Sequence, residues 1–137
     1  MERASNRLDG RTRRPAVLNV REKGHRLERK VAKDLRGVGH TKAKTSREAS
    51  KLLDSSKVDI FGVPYYIQCK NGYPKGINYV TLIQSMRKLV DENFEIVDYP
   101  LIVIHKKGSK YGETLAILPY EDLLAMIAKI EKLKNKN

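Results

Sequence analysis

The chain has 137 residues, 40% hydrophobic and 32% charged, which suits one globular domain with a single core and leaves too little chain for two. No stretch approaches the ~20 apolar residues that span a bilayer, and no apolar run with a cleavage site opens the chain, so a soluble cytoplasmic protein without membrane contact is expected. A single cysteine, Cys69, excludes an internal disulfide, and 28 Lys and Arg against 16 Asp and Glu, a net charge of +12, favour an extended polyanion as partner, nucleic acid first and an anionic membrane surface behind it.

Residues 1–19 hold Arg3, Arg7, Arg11, Arg13 and Arg14 among polar residues and predict a flexible basic arm ahead of one domain over residues 20–137. From Val20 to Leu35 the positions Leu27, Val31 and Leu35 share one stripe, which predicts an amphipathic helix stopped by Gly37 and Gly39. The stretch between His40 and Lys57 is polar rather than core-like, with one or two helical turns expected within Ser46–Leu53. Val58–Phe61, the breaker Gly62-Val63-Pro64 and Tyr65–Lys70 then read as a β-hairpin, because β-branched and aromatic residues flank the turn. Residues 71–76 form a loop, and Val80, Ile83, Met86, Leu89 and Val90 fall on one face of a second helix ending near Asn93. Leu101–Ile104 and Thr114–Leu118 have the length and apolar continuity of buried strands. Pro119 suits a first helical turn, and Leu123, Leu124, Ile127, Ile130 and Leu133 make the stripe of a last helix. The order helix, strand, strand, helix, strand, strand, helix predicts an α/β or α+β sheet flanked by helices.

The hairpin gathers polar residues suited to chemistry. Gln68 and Lys70, two apart on one strand, share a face, and Cys69 points to the other as a small core residue. Pairing about Gly62-Val63-Pro64 brings Asp59 toward Gln68, so a carboxylate, an amide oxygen and an ammonium converge, the kind of oxygen cluster that a hard divalent cation prefers.

Val58-Asp59-Ile60 followed by Ile67-Gln68-Cys69-Lys70, written Asp-x8-Gln-x-Lys, resembles the PD-(D/E)xK nuclease signature. Gly24-His25-Arg26-Leu27-Glu28-Arg29 is similar to the first helix of archaeal-type, phage-like Holliday junction resolvases within that superfamily, and the element order agrees from Gly24 onward. The resemblance implies a restriction-endonuclease-like fold with a central mixed β-sheet. It further implies a homodimer that resolves branched DNA by paired nicks in recombination and repair, with Mg²⁺ or Mn²⁺ as cofactor. A phage-encoded version acting in the host cytoplasm would also have this size and a basic arm.

Carried over residue by residue, the resemblance makes Glu28 and Asp59 carboxylate ligands, the Cys69 carbonyl a further ligand, and Lys70 the group that orients water or offsets phosphate charge. Ser46 or Ser50 fills the place of a serine that the family carries before the first motif strand. Gln68 stands where the family has an acid; its amide oxygen still coordinates a hard cation but contributes one negative charge fewer. The catalytic set is therefore Glu28, Asp59, Gln68, Lys70 and Ser46, and the metal set Glu28, Asp59, Gln68 and Cys69.

Against this stands a simpler reading of Glu28 as a surface ion-pair partner beside Arg29. The three histidines show no ligand spacing, Tyr66 is expected to pack, and Tyr73 is open to either packing or DNA contact. Arg13, Arg14, Arg21, Lys23, Arg26, Arg29, Lys30, Arg47, Lys51, Tyr73 and Lys75 are the expected DNA contacts, the cations among them positioning phosphates rather than reading bases. Two other functions fit the same residues: a nuclease of this superfamily cutting flaps, nicks or duplex, and a non-catalytic nucleic-acid-binding protein with a decayed site.

Overall fold

A 22-residue helix, α1 (Ala16–Gly37), opens the computed structural model, which describes residues 16–49, 57–72, 76–107 and 113–136. The helix takes in the last four residues, 16–19, of the expected basic arm, whose residues 1–15 lie outside the described ones. It ends as expected at Gly37, and Gly39 follows in the left-handed region at φ 118°.

Five strands make one sheet in chain order: β1 (Lys44–Thr45), β2 (Ile60–Phe61), β3 (Tyr66–Asn71), β4 (Leu101–Lys106) and β5 (Thr114–Ile117). All neighbours are antiparallel except β3 and β4, which run parallel with Gln68 beside Val103 and Lys70 beside His105. Among the described residues three more helices stand between and after the strands: the single-turn α2 (Ser46–Ala49) after β1, α3 (Tyr79–Asn93) after β3 and α4 (Tyr120–Asn135) after β5. The chain is thus α/β with a mixed sheet flanked by helices. Among the described residues no helix is long and apolar enough to cross a membrane.

Each face of the sheet has its own core. On one, Ala32 of α1, with Val31 and Leu35, packs on Ile60, Ile67, Cys69, Ile102 and Ile104. On the other, Met86 and Val90 of α3 pack with Val58, Tyr66, Leu101 and Val103. Burying each of these large aliphatic side chains contributes about 1.5–3 kcal/mol. The alternation expected for β3 therefore holds: Tyr66 faces α3, while Ile67 and Cys69 face α1. The Tyr66 hydroxyl donates to the carbonyl of Ile96, and burial followed by the neighbouring Tyr99 and Asp98 pushes its pKa up.

The hairpin forms where expected, with Ile60 opposite Ile67, although β2 is shorter than Val58–Phe61. Gly62 makes its tight start possible. Its φ is 84°, and a Cβ there would stand 2.1 Å from the Lys42 carbonyl oxygen.

Several expectations change. The polar stretch after His40 supplies a strand, β1, and buries Ala43, Thr45 and Ser46, because it is pinned by the antiparallel β1–β2 pairing and by the Arg36 guanidinium donating to the Ala43 carbonyl at 2.8 Å. The helical turn expected from Ser46 is present as α2, and its continuation past residue 49 lies outside the described residues. Val80, expected on the buried stripe of α3, is 66% exposed because the face that meets the sheet is set by Tyr79, Ile83, Met86 and Val90, and Val80 lies about 100° round the helix from Tyr79. Strand β5 is an exposed edge rather than a buried strand, since among the described residues only β4 pairs with it and Leu115 stays exposed. Pro119 caps α4 from one residue before its first turn, and α4 buries none of its residues.

Candidate active site

Asp59 is held from both sides of its own backbone. Its N–H donates to the Ile67 carbonyl at 2.7 Å, one residue out of step with the Ile60–Ile67 pair, and its carbonyl accepts from the Ser46 N–H at 2.8 Å. Its carboxylate oxygen Oδ2 accepts from the Cys69 N–H at 2.7 Å. The expected neighbourhood of Ser46, Asp59 and Cys69 is therefore assembled by three consecutive stretches of the sheet.

Ser46 is fully buried, and what sets its position is a pair of residues the sequence reading passed over. Thr45 and Glu48 form a capping box: the Thr45 N–H and hydroxyl donate to Glu48 Oε1 at 2.9 and 3.1 Å, and the Glu48 N–H returns to Thr45 Oγ1 at 3.3 Å. The Thr-x-x-Glu spacing was the available signal. The backbone hydrogen bond from Thr45 leads the causes that hold the Glu48 carboxyl below its ordinary value.

Glu28 lies one turn before the buried Ala32 and next to the buried Leu27, half-buried itself with Oε1 shielded from solvent. The neighbouring Arg29 points to the outer side, where Glu22 binds its guanidinium at 3.3 Å. Burial pushes the pKa of the Cys69 thiol up most, and Asp59 and then Glu28 add to the effect, so both acids bear on the same point of β3. A thiol held protonated in this way is inert, as expected for a core cysteine.

A hollow of about 230 Å³ opens beside this point, lined by His25, Glu28, Arg29, Thr45, Arg47 and Glu48. The Arg47 guanidinium meets the His25 ring there; burial, followed by Arg47, lowers the His25 pKa. A second hollow, of about 330 Å³, contains Lys70 with Lys57, Asn78, Thr81 and Ser85 at the start of α3. Lys57 adopts φ 64°, uncommon for a residue with a Cβ, two residues before Asp59. Glu28 and Lys70 thus open onto separate hollows, with β3 between them.

Gln68 is buried, and its Oε1 has no hydrogen-bond partner among the described residues. Beside Lys70 in the sheet, His105 is fully buried. Its Nε2 lies 2.8 Å from the Gly72 carbonyl, which only accepts, so Nε2 carries the proton and Nδ1 accepts from the Tyr79 hydroxyl at 2.6 Å. This histidine, read from sequence as a strand-end residue, ties the end of β3 to the first turn of α3.

Of the expected DNA contacts, Arg21, Lys23, Arg26, Arg29, Lys30 and Arg47 are exposed, with Lys30 also 2.7 Å from Asp34. Arg13, Arg14, Lys51, Tyr73 and Lys75 lie outside the described residues, as does Ser50. Among the described residues no group of three or more His, Cys, Asp or Glu side chains is placed to hold a metal ion. Comparison with protein-family models, curated proteins and solved structures found no match to the chain.

Proposed function

We propose that the chain is a metal-dependent, structure-selective DNA endonuclease that resolves four-way junctions by paired nicks. The observation that carries this reading is the Asp59 carboxylate fixed to the amide of Cys69, on the strand that also bears Gln68 and Lys70 and beside Glu28 of a basic helix. An isolated surface carboxylate needs no such anchoring; a ligand that must keep its geometry does.

The donor atoms are of the kind a hard divalent cation takes, with Glu28 and Lys70 opening onto separate hollows. Glu28, Asp59 and Gln68 all offer oxygen, and the buried Gln68 Oε1, without a hydrogen-bond partner among the described residues, is the kind of atom that a cation satisfies. When bound, Mg²⁺ or Mn²⁺ supplies the Lewis acidity that activates water and offsets charge on the scissile phosphate. Lys70 contributes an ammonium to that developing charge, and Ser46 braces Asp59 through the backbone. The exposed cations of α1 and Arg47 hold flanking phosphates, which positions a duplex arm without reading its sequence.

The test is cleavage of a labelled synthetic four-way junction beside a linear duplex of the same sequence, with Mg²⁺, Mn²⁺ or chelator. Symmetric nicks confined to the junction, dependent on metal and lost in Asp59→Asn, are the expected result; equal cutting of both substrates replaces junction resolution with a general nuclease. Position 68 favours one other reading, a non-catalytic binder, because its amide leaves two acids where the resemblance implies three. Junction binding without cleavage in either metal selects it.

A further inference from the structure

Lys57 stands in the left-handed region at φ 64°, the one residue other than glycine to do so among the described residues. A residue with a Cβ is strained there and glycine is not, so the chain keeps a side chain at this position at a cost in stability. Such strain persists where the side chain has a use, and what Lys57 offers is an ammonium two residues before Asp59.

That ammonium shares a hollow of about 330 Å³ with Lys70 of β3. None of the described residues that line it is acidic, so the lining carries two positive charges and no negative one. Two other hollows do carry acids, Glu28 and Glu48 in the one beside His25 and Asp91, Glu92 and Glu121 in the one along α3. From α3, Thr81 and Ser85 bring two hydroxyls, four residues apart and hence on one face of the helix, and Ile77 and Leu82 supply an apolar wall. Cations with hydroxyl donors are the groups that hold phosphate oxygens, and an apolar wall beside them suits the carbon face of a sugar. The rim is open, with Lys57 and Thr81 exposed. One unit of a long strand passing over such a rim fits it better than a small molecule that must be enclosed, and a chain of net charge +12 attracts the strand along its length.

We propose that this hollow is a second phosphate subsite, in which the Lys57 ammonium and the Thr81 and Ser85 hydroxyls hold a backbone phosphate of a nucleic-acid strand next to the one that Lys70 attends. A phosphate held there sets the position of the strand relative to the Asp59 carboxylate. The subsite rests on the nucleic-acid half of the function proposed above and does not require cleavage.

Binding of a labelled four-way junction by the full chain, measured in chelator across a range of salt, tests the subsite. Lys57→Gly removes the ammonium and relieves the strained φ. Its urea midpoint therefore stays at or above wild type, while the slope of log binding constant against log salt falls by about 0.9, one phosphate contact. Lys57→Arg keeps the wild-type slope, and so does Lys132→Ala, which removes one charge from the exposed surface of α4. Thr81→Val, close in shape but without the hydroxyl, leaves the slope and weakens binding about fivefold. A wild-type slope in Lys57→Gly overturns the subsite and leaves junction binding standing, and wild-type affinity in Thr81→Val overturns its assignment to this hollow. A wild type that binds no junction removes the nucleic-acid reading and the subsite together. Inorganic phosphate or thymidine monophosphate bound as tightly as a short thymidine oligonucleotide, each dependent on Lys57, would make this a site for free phosphate and overturn the strand as its ligand.

Discussion

The backbone N–H of Cys69 donates to Oδ2 of Asp59 at 2.7 Å, so the carboxylate preceding one strand is clamped to the main chain of the next. This bond separates the structural role of Asp59 from its chemical one. Asp59→Asn keeps an oxygen to accept from Cys69 but loses the charge. Junction cleavage should fall by at least about a hundredfold while stability changes by less than ~1 kcal/mol. Asp59→Ala also strands the Cys69 amide and should cost about 1–3 kcal/mol, read from urea unfolding. Equal activity in Asp59→Asn and wild type would remove Asp59 from the site.

Gln68→Glu puts a carboxylate where a buried amide oxygen lacks a hydrogen-bond partner among the described residues. Without metal the buried charge should lower stability by about 1–3 kcal/mol; added Mn²⁺ should restore it, and the metal should bind about tenfold tighter than to wild type by calorimetry. Chelator reverses the gain. A variant as indifferent to Mn²⁺ as a control with Asp59→Ala would mean that Gln68 does not face the cation.

Gly62→Ala should be among the most damaging single changes in the sheet. The added Cβ meets the Lys42 carbonyl at 2.1 Å, and φ is 84°, so the turn must reopen and take β1 and Ser46 with it. A loss of about 3 kcal/mol or more is expected in urea unfolding, together with weaker junction cleavage. A loss under ~1 kcal/mol would show that β1 adjusts freely.

The capping box predicts a pH signature. The Glu48 carboxyl lies below its ordinary value of 4.5 when folded, chiefly through the Thr45 backbone hydrogen bond. A carboxyl depressed in the folded state stabilises above its unfolded pKa, and that contribution disappears as pH falls through the folded value. Wild type should therefore exceed Glu48→Gln in urea midpoint near neutrality, and the difference should close below pH 4.5. A difference that is constant from neutral to acidic pH would assign the effect to packing instead.

Lys23 and Arg26 are exposed on α1. Replacing both by Ala should reduce the slope of log binding constant against log salt by about 1.8, at the ~0.9 per phosphate contact expected for duplex DNA. An unchanged slope would move the duplex to another face.

The hairpin, the breaker Gly62-Val63-Pro64, helix α3 and the stop of α1 were legible in the chain because local chemistry decides them: β-branched and aromatic residues prefer the pleat, glycine permits a positive φ, and apolar spacing marks one helix face. The alternation that sends Cys69 away from Gln68 and Lys70 follows from strand geometry alone. Tertiary structure decided the rest. Lys44 and Thr45 carry no strand pattern and become β1 through pairing with β2, and Thr45 and Ser46 are polar by composition yet buried because α1 and β2 close over them. The same apolar spacing leaves Met86 buried in α3 and Ile127 exposed in α4. Periodicity tells a chain which face of a helix is apolar; whether that face is covered depends on a second surface, which the local sequence does not contain.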